Sequence, residues 1–386
     1  MDRAPQNGVV ILGSGLGGYT LARELRKLDA QVSITIVTAD GGESYSKPML
    51  SAAFAQGKDA LSLMQKSPGQ MAEDLKATIL ARHRVAAIRR DAKTVVIRRP
   101  DGDEMELGYG RLVLALGADP RPYVAEGSET AGLRTVNDLD DYAAWRAALS
   151  PGARVLLVGA GLIGSEFAND LAGAGFCVAV VDPAPWPLGR LLPQALGEEM
   201  AKALGEAGIS FHLGRSVTRW SMGRAELDDG SAIAYDQALS AIGLIPRTRL
   251  ASEAGLVVER GIKVDGSLAT SDPAIFAMGD CAETPAGLLP FILPLMAEAK
   301  ALAATLAGCE TPLKLPALPV VVKTPALPMV VCPPAPGAVG DWVMEGAGRD
   351  RKALFVSPQG KALGFALSGA RVNERQSLAK EMPDLL

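Results

Sequence analysis

The chain has 386 residues, of which 48% are hydrophobic and 21% charged, and a net charge of −4. At roughly 150 residues per domain this length makes two or three domains, and the composition excludes wholesale disorder. The slightly acidic balance argues against a general nucleic-acid binder.

Residues 1–7 read as a polar lead and not as a signal peptide, so a cytoplasmic protein is expected. Residues 8–18, GVVILGSGLGG, read as a short buried strand that runs into G-x-G-x-x-G, and the following YTLARELRKL has a helical pattern. An apolar run comes next at 32–37, and RLVLALG at 111–117 is a strand ending in glycine. The opening series then repeats: VLLVGAGLIG at 155–164, a helical SEFANDLAGAG with Gly175 as its stop, and an apolar run at 178–181. One strand each is expected in 235–246 (YDQALSAIGLIP) and 270–280 (TSDPAIFAMGD). Residues 288–307 read as a helix, and Pro290, Pro294, Glu298 and Lys300 break the surrounding apolar stretch too often for a membrane span. Eight prolines between 312 and 336 interleave with VVV and VV, a density central strands do not tolerate, so edge strands and extended segments open a small C-terminal domain. A strand, KALGFALSG, and a polar helix close the chain over 361–380.

The two glycine motifs gain meaning from their identical strand–turn–helix–strand context. Gly13 and Gly159 make the tight turn, Gly15 and Gly161 admit a pyrophosphate, and Gly18 and Gly164 let helix pack on strand. Ser14, Leu16, Leu162 and Ile163 complete the turns, whose free N–H groups at the helix start would hold the phosphates. Two such sites in one chain imply two dinucleotides, naturally a flavin and a nicotinamide, and the glycines alone do not say which binds where. Asp182, 23 residues past Gly159, is placed to accept a ribose 2′-hydroxyl and repel a 2′-phosphate, which favours NADH over NADPH. At the first turn that acid is missing. Thr38 ends the strand, with Ala39 after it; Thr38 is expected to meet the ribose, and Asp40 serves either there or in the turn. The expected fold is α/β, with two Rossmann-like domains (1–117 with 245–312, and 118–244) plus a small α+β domain over 313–386.

The order of motifs resembles the flavoprotein pyridine-nucleotide reductases of glutathione-reductase-like fold, whose T-x-x-x-x-I-[FY]-A-x-G-D segment is matched by Thr270, Ile275, Phe276, Ala277, Gly279 and Asp280. Within that group the segments TADGGESYSKPMLS (38–51), AGLIGSEFANDL (160–171), FAMGDCAE (276–283) and VVVKTPALP (320–328) are similar to rubredoxin and flavorubredoxin reductases. The resemblance implies FAD at the first turn, NADH at the second with Gly243 beside it, and Gly279 and Asp280 on the ribityl chain. It also implies that Lys47, followed by Pro48, lies near flavin N5 and pairs with Glu166, which can contact the nicotinamide amide. Hydride arriving at N5 builds negative charge, and a fixed ammonium stabilises it. Further implied contacts are adenine with the main chain at Val85, the FAD phosphates with Arg121, the flavin pyrimidine with the helix opened by Ile292, and the flavin with Lys323.

The thiols point the same way by their placement. Disulfide reductases of this fold carry C-x-x-x-x-C beside the flavin, and NADH peroxidases and oxidases carry one cysteine there. Cys177, Cys281, Cys309 and Cys332 all lie outside 38–56, and Cys281 reads as a small buried side chain. With only His83 and His212 as histidines, neither expected to be catalytic, no metal site is expected. The resemblance therefore implies hydride transfer from NADH to FAD, then single electrons to rubredoxin or a similar small acidic iron carrier that docks transiently on a basic rim. Alkane hydroxylation or oxygen or radical reduction would be the downstream use, with no nucleic acid and no membrane insertion. The alternatives are a ferredoxin reductase of a Rieske oxygenase or P450, and a slow, NADH-responsive flavoprotein binding module.

Overall fold

The computed structural model describes residues 8–335 and 337–386; the polar lead at 1–7 and Pro336 lie outside the described residues. Two five-stranded sheets carry the two glycine turns. In the first, Val9–Leu12 sits centrally between Arg111–Leu114 and Ile34–Val37, flanked by Ile275–Ala277 and Thr78–Leu80, all parallel. In the second, Arg154–Val158 lies between Gln237–Ser240 and Cys177–Asp182, flanked by Leu133–Arg134 and Ile209–Leu213, again all parallel. The continuous apolar runs are explained by this placement: all four residues of Val9–Leu12 are buried, as are residues 155–158. Loops at the carboxyl ends of such strands are where an open parallel sheet takes its ligand.

The chain leaves the first unit and returns to it through two adjacent antiparallel strands, Ala118–Pro120 and Leu244–Pro246. The segment 235–246, expected as one strand, is thus divided. Gly243 bends it with a φ of 111° between Gln237–Ser240, which belongs to the second sheet, and Leu244–Pro246. Sequence reading also missed two antiparallel three-stranded sheets, Arg84–Arg89 with Thr94–Arg98 and Glu104–Gly108, and Val217–Ser221 with Arg224–Leu227 and Ala232–Ala234. Their strands are short and rich in exposed arginine and glutamate, so period-2 alternation is weak. Trp220 fixes the second of these sheets, edge-on to Tyr123 and Tyr235 at centroid distances of 5.8 and 5.6 Å.

The C-terminal residues form a five-stranded antiparallel sheet in the order Val320–Val322, Met329–Cys332, Ala362–Ser368, Asp350–Val356, Asp341–Ala347. Val320–Val322 is an edge strand, as the prolines suggest. Met329–Cys332 is not: it pairs on both sides, because Pro328 and Pro333 stand just outside it and cost no ladder hydrogen bond. Helix Arg375–Glu381 closes the unit. This sheet does not stand apart. Val322, Leu327, Met329 and Val331 share one hydrophobic core with Phe54 of the first unit and with Phe167 and Leu171 of the second sheet's glycine-turn helix. That shared core brings the end of the edge strand, Lys323, to the junction of all three units.

Candidate functional site

The glycine turns show which glycines the fold itself needs. Gly13 and Gly159 have φ of 113° and 106°, a region costly for any side chain. A Cβ on Gly18 would overlap the Gly13 carbonyl oxygen, and one on Gly164 the Gly159 carbonyl oxygen. Gly15 and Gly161 differ: their φ values are ordinary, −58° and −72°, and a Cβ on either would meet nothing within 4 Å. Packing gives no reason for glycine there. Each stands at the start of a long helix, Leu16–Leu28 or Leu162–Gly173, that has no side-chain cap. Bare N–H groups behind an open space that a side chain would fill suit a dinucleotide pyrophosphate. Ser14, Leu16, Leu162 and Ile163 sit in these turns, Ile163 partly exposed.

Around the first turn the acid missing from the strand end is supplied from two residues further on. One Asp40 carboxylate oxygen accepts the Thr38 hydroxyl at 2.6 Å, the Gly42 N–H at 3.0 Å and lies 2.9 Å from the Ser14 hydroxyl. Asp40 therefore folds back onto Thr38. The main chain leading to Val85 is held against the same strand end, His83 N–H donating to the Thr38 carbonyl and Arg82 N–H to that of Asp40. At the second turn Asp182 accepts the Ala160 N–H at 2.6 Å and the Ala184 N–H at 2.7 Å. Its carboxylate thus lies over the glycine turn, with lone pairs left for a hydroxyl donor.

Lys47 opens the 3₁₀ turn Lys47–Ser51 and is largely buried. Its ammonium donates to Asn137 Oδ1 at 2.7 Å, and Asn137 in turn donates to the Ala118 carbonyl. Burial pulls the Lys47 pKa down; the Asp280 carboxylate opposes this, and burial raises Asp280 while Lys47 holds it back. The expected Lys47–Glu166 pair is not formed. Glu166, 3% exposed, already has other partners: Ser51 donates to it at 2.7 Å, the Lys323 N–H at 3.0 Å, and the Lys323 ammonium pairs with it directly. Lys323 also donates to the Pro48 carbonyl at 2.6 Å and Ser51 at 2.8 Å. The C-terminal edge strand delivers its lysine to Glu166, and Lys47 turns instead toward Asn137 and Asp280.

Three residues of this network escaped sequence reading. Ser51 and Asn137 left no signal beyond nearness to Lys47 or to a helix start. Asp170 left one, its i+4 spacing from Glu166. It is 6% exposed and accepts the Phe54 and Ala55 N–H groups at 2.8 and 2.9 Å, which ties the loop after Lys47 to helix Leu162–Gly173. Asp170→Ala strips both donors of their acceptor, and chemical denaturation should show a loss of roughly 2–4 kcal/mol. An unchanged midpoint would mean that water replaces the carboxylate.

Asp280 sits on the turn Gly279–Cys281. Helix Ile292–Leu306, uncapped at Ile292, crosses the first glycine turn, with Leu295 filling the space beside Gly17 and Gly279. The structure thus gathers Ser14, Thr38 and Asp40 at the first glycine turn, lays Leu295 of the Ile292 helix beside Gly17 and Gly279, and sets Lys47 within the field of Asp280. The main chain of Arg121 is held beside Gly243. Its N–H donates to the Gly243 carbonyl at 2.9 Å, and it lines a cavity of about 480 Å³ with Tyr123, Glu129 and Ser240 of the second unit. Among the described residues no group of three or more His, Cys, Asp or Glu side chains is arranged to hold a metal, and no helix is long and apolar enough to cross a membrane. Burial pushes the Cys281 thiol up to about 12 and Cys332 up to about 11, which keeps both protonated.

Comparison with known proteins extends this geometry. Residues 7–300 match the family profile described as pyridine nucleotide-disulphide oxidoreductase, and residues 312–382 match the rubredoxin binding C-terminal domain. The rubredoxin-NAD(+) reductase of Alcanivorax borkumensis is 45% identical over 98% of this chain and 99% of its own. That of Acinetobacter baylyi is 39% identical over 98% of both. The nitric oxide reductase FlRd-NAD(+) reductase of Aeromonas salmonicida is 37% identical over 97% and 96%. Among solved structures, the putidaredoxin reductase of a covalent complex with putidaredoxin superposes with a TM-score of 0.88 at 26% identity, covering 98% of this chain and 94% of that one. The ferredoxin reductase for the CYP199A2 system of Rhodopseudomonas palustris gives 0.87 at 26%, covering 98% and 95%.

Proposed function

The chain belongs to the pyridine nucleotide-disulphide oxidoreductase family, and from that premise we propose that it is an NADH-dependent, FAD-containing rubredoxin reductase. The observation that carries the acceptor is the C-terminal sheet, which matches a rubredoxin binding domain and sends Lys323 into the junction beside Lys47 and Glu166. The full-length likeness to rubredoxin-NAD(+) reductases supports the same reading. The antiparallel pair Ala118–Pro120 and Leu244–Pro246 supports dividing the chain into an FAD domain (1–117 with 245–312), an NADH domain (118–244) and an acceptor domain (313–386).

In this reading FAD takes the first turn, held by residues 13–18, Thr38 and Ala39, the main chain at Val85, Pro48 and Asp280. NADH takes the second, held by residues 159–164, Asp182 and Gly243, with Asp182 selecting against a 2′-phosphate. Bound FAD would supply a two-electron acceptor that can release electrons one at a time. Lys47, fixed by Asn137, holds a positive charge where negative charge develops. Glu166, fixed by Ser51 and Lys323, borders the second glycine turn on the same helix. Arg121 keeps its N–H on Gly243 and so shapes the NADH side of the cleft. No cysteine lies in 38–56, so no thiol relay is used. A cytoplasmic location is part of the proposal, since the reductant is NADH.

The test is NADH oxidation by the FAD-loaded protein with a rubredoxin or a [2Fe–2S] ferredoxin at equal concentration, over a salt series. Fast turnover with rubredoxin alone, weakening with salt, is expected for charge-steered docking. Preference for the ferredoxin would move the protein to the oxygenase or P450 reductases. Flavin bleaching by NADH without turnover on either would discard the acceptor and retain the reductive half.

A further inference from the structure

Glu298 has no part in the reading above, yet it is buried to 2% exposure beneath the flavin-side turn. It lies in the second turn of helix Ile292–Leu306, and its Oε2 accepts the Gly279 N–H at 2.6 Å. Gly279, with φ of 72°, begins the 3₁₀ turn that carries Asp280. Among the described residues this is the one hydrogen bond its carboxyl receives. Other buried carboxyls are better provided for. Glu166 has Ser51 and Lys323, Asp170 has two N–H groups, and Glu283 has the Arg260 and Gly261 N–H groups and the Arg260 guanidinium.

Among the described residues no cation faces Glu298. From the turn it meets the Asp280 carboxyl and the Cys281 thiol, whose proton goes to the Leu114 and Met278 carbonyls. On helix Leu16–Leu28, packed alongside, Tyr19 donates to the Gly42 carbonyl, Arg23 turns to Ser44 and Met71, Arg26 to the Leu75 carbonyl, and Glu24 pairs with Lys27. Lys300, on its own helix, is exposed. Burial pushes the Glu298 carboxyl up to about 7; the Gly279 N–H opposes it, and the Asp280 charge adds a smaller upward push. The group is therefore poised between its two states at neutral pH.

We propose that Glu298 is a positioning residue with an exchangeable proton: its carboxyl clamps the Gly279 N–H and so fixes the turn presenting Asp280, and it takes a proton from solvent when negative charge arrives on the bound flavin. NADH delivers two electrons and one proton as hydride; the proton on Glu298 is additional, comes from water, and returns to water as the electrons pass singly to the acceptor. The inference rests on the FAD assignment and not on the identity of the acceptor.

FAD content is measured first, and a protein that holds no FAD overturns the cofactor reading itself. The holoenzyme is then reduced anaerobically with dithionite in weak buffer with a pH indicator, between pH 6 and 9. Wild type should take up more protons than Glu298→Gln near pH 7, by up to one per flavin, and the two should converge at the acid end, where Glu298 is already protonated. The flavin potential should fall more steeply with pH in wild type over the same window. Equal proton counts and equal slopes overturn the proposal. Glu298→Gln keeps an oxygen for Gly279 and should retain FAD, whereas Glu298→Ala should lose it more readily. If neither variant folds, the reduced-minus-oxidised infrared difference spectrum of wild type decides: a protonated-carboxyl band that grows on reduction supports the proposal, and its absence removes it.

Discussion

Gly15→Leu should leave the protein folded and empty of FAD, while Gly161→Leu should leave FAD in place and abolish NADH binding. The contrast follows from geometry. Both positions have φ that leucine adopts freely, and neither Cβ would touch the protein. Folding should lose no more than about 1 kcal/mol from replacing a glycine at the N-cap. The leucine side chain would nonetheless fill the space in front of the helix N–H groups, where a pyrophosphate must come close. Affinity should drop at least ~100-fold, about 2.7 kcal/mol, at the substituted site alone. Flavin content and fluorescence titration with NADH check this, and thermal unfolding confirms that both variants fold. Gly18→Ala is the contrasting control: its Cβ overlaps the Gly13 carbonyl, so it should fail to accumulate as folded protein. Normal FAD content in Gly15→Leu would place the flavin elsewhere.

Lys47→Met should cut the rate of flavin reduction by NADH by about 10²–10³, the usual cost of deleting one preorganised charge from a site where charge develops. FAD content should survive, because methionine fills the same buried volume. The pH dependence has a definite sign. Burial lowers the Lys47 pKa below that of a free lysine, so as pH rises the ammonium is lost earlier than a solvated lysine's would be. The wild-type reduction rate should therefore fall on the alkaline side earlier than a solvated lysine would allow, and the methionine variant should lack this limb. Rapid-mixing traces of flavin bleaching across the alkaline range test both statements. A variant that reduces at the wild-type rate would show that Asn137 and Asp280 hold Lys47 for packing alone. Glu166 gives a useful comparison, since Lys323→Met leaves its carboxylate buried without a cation and should loosen the C-terminal sheet.

Features that depend on short-range order were legible in the chain alone. The two strand–turn–helix–strand repeats, the turn glycines and Asp182 at its strand end all follow from local spacing, because a tight turn and a bare helix start need particular residues at fixed offsets, whereas Asp280 was marked by family resemblance. Tertiary structure alone decided which distant charges meet. Lys47 and Glu166 were expected as partners, yet Lys323 arrives from a strand 157 residues beyond Glu166 and takes its carboxylate. No periodicity reports such a contact, since it depends on a hydrophobic core shared by three units. The same is true of Asp40, which folds back onto Thr38, and of Asn137, which captures Lys47 across 90 residues. Glu298 marks the sharpest divide. In sequence it is one of the residues that interrupt an apolar stretch; in the fold it is a lone buried acid under the turn that carries Asp280, because helix Ile292–Leu306 is laid across the first glycine turn with that face inward.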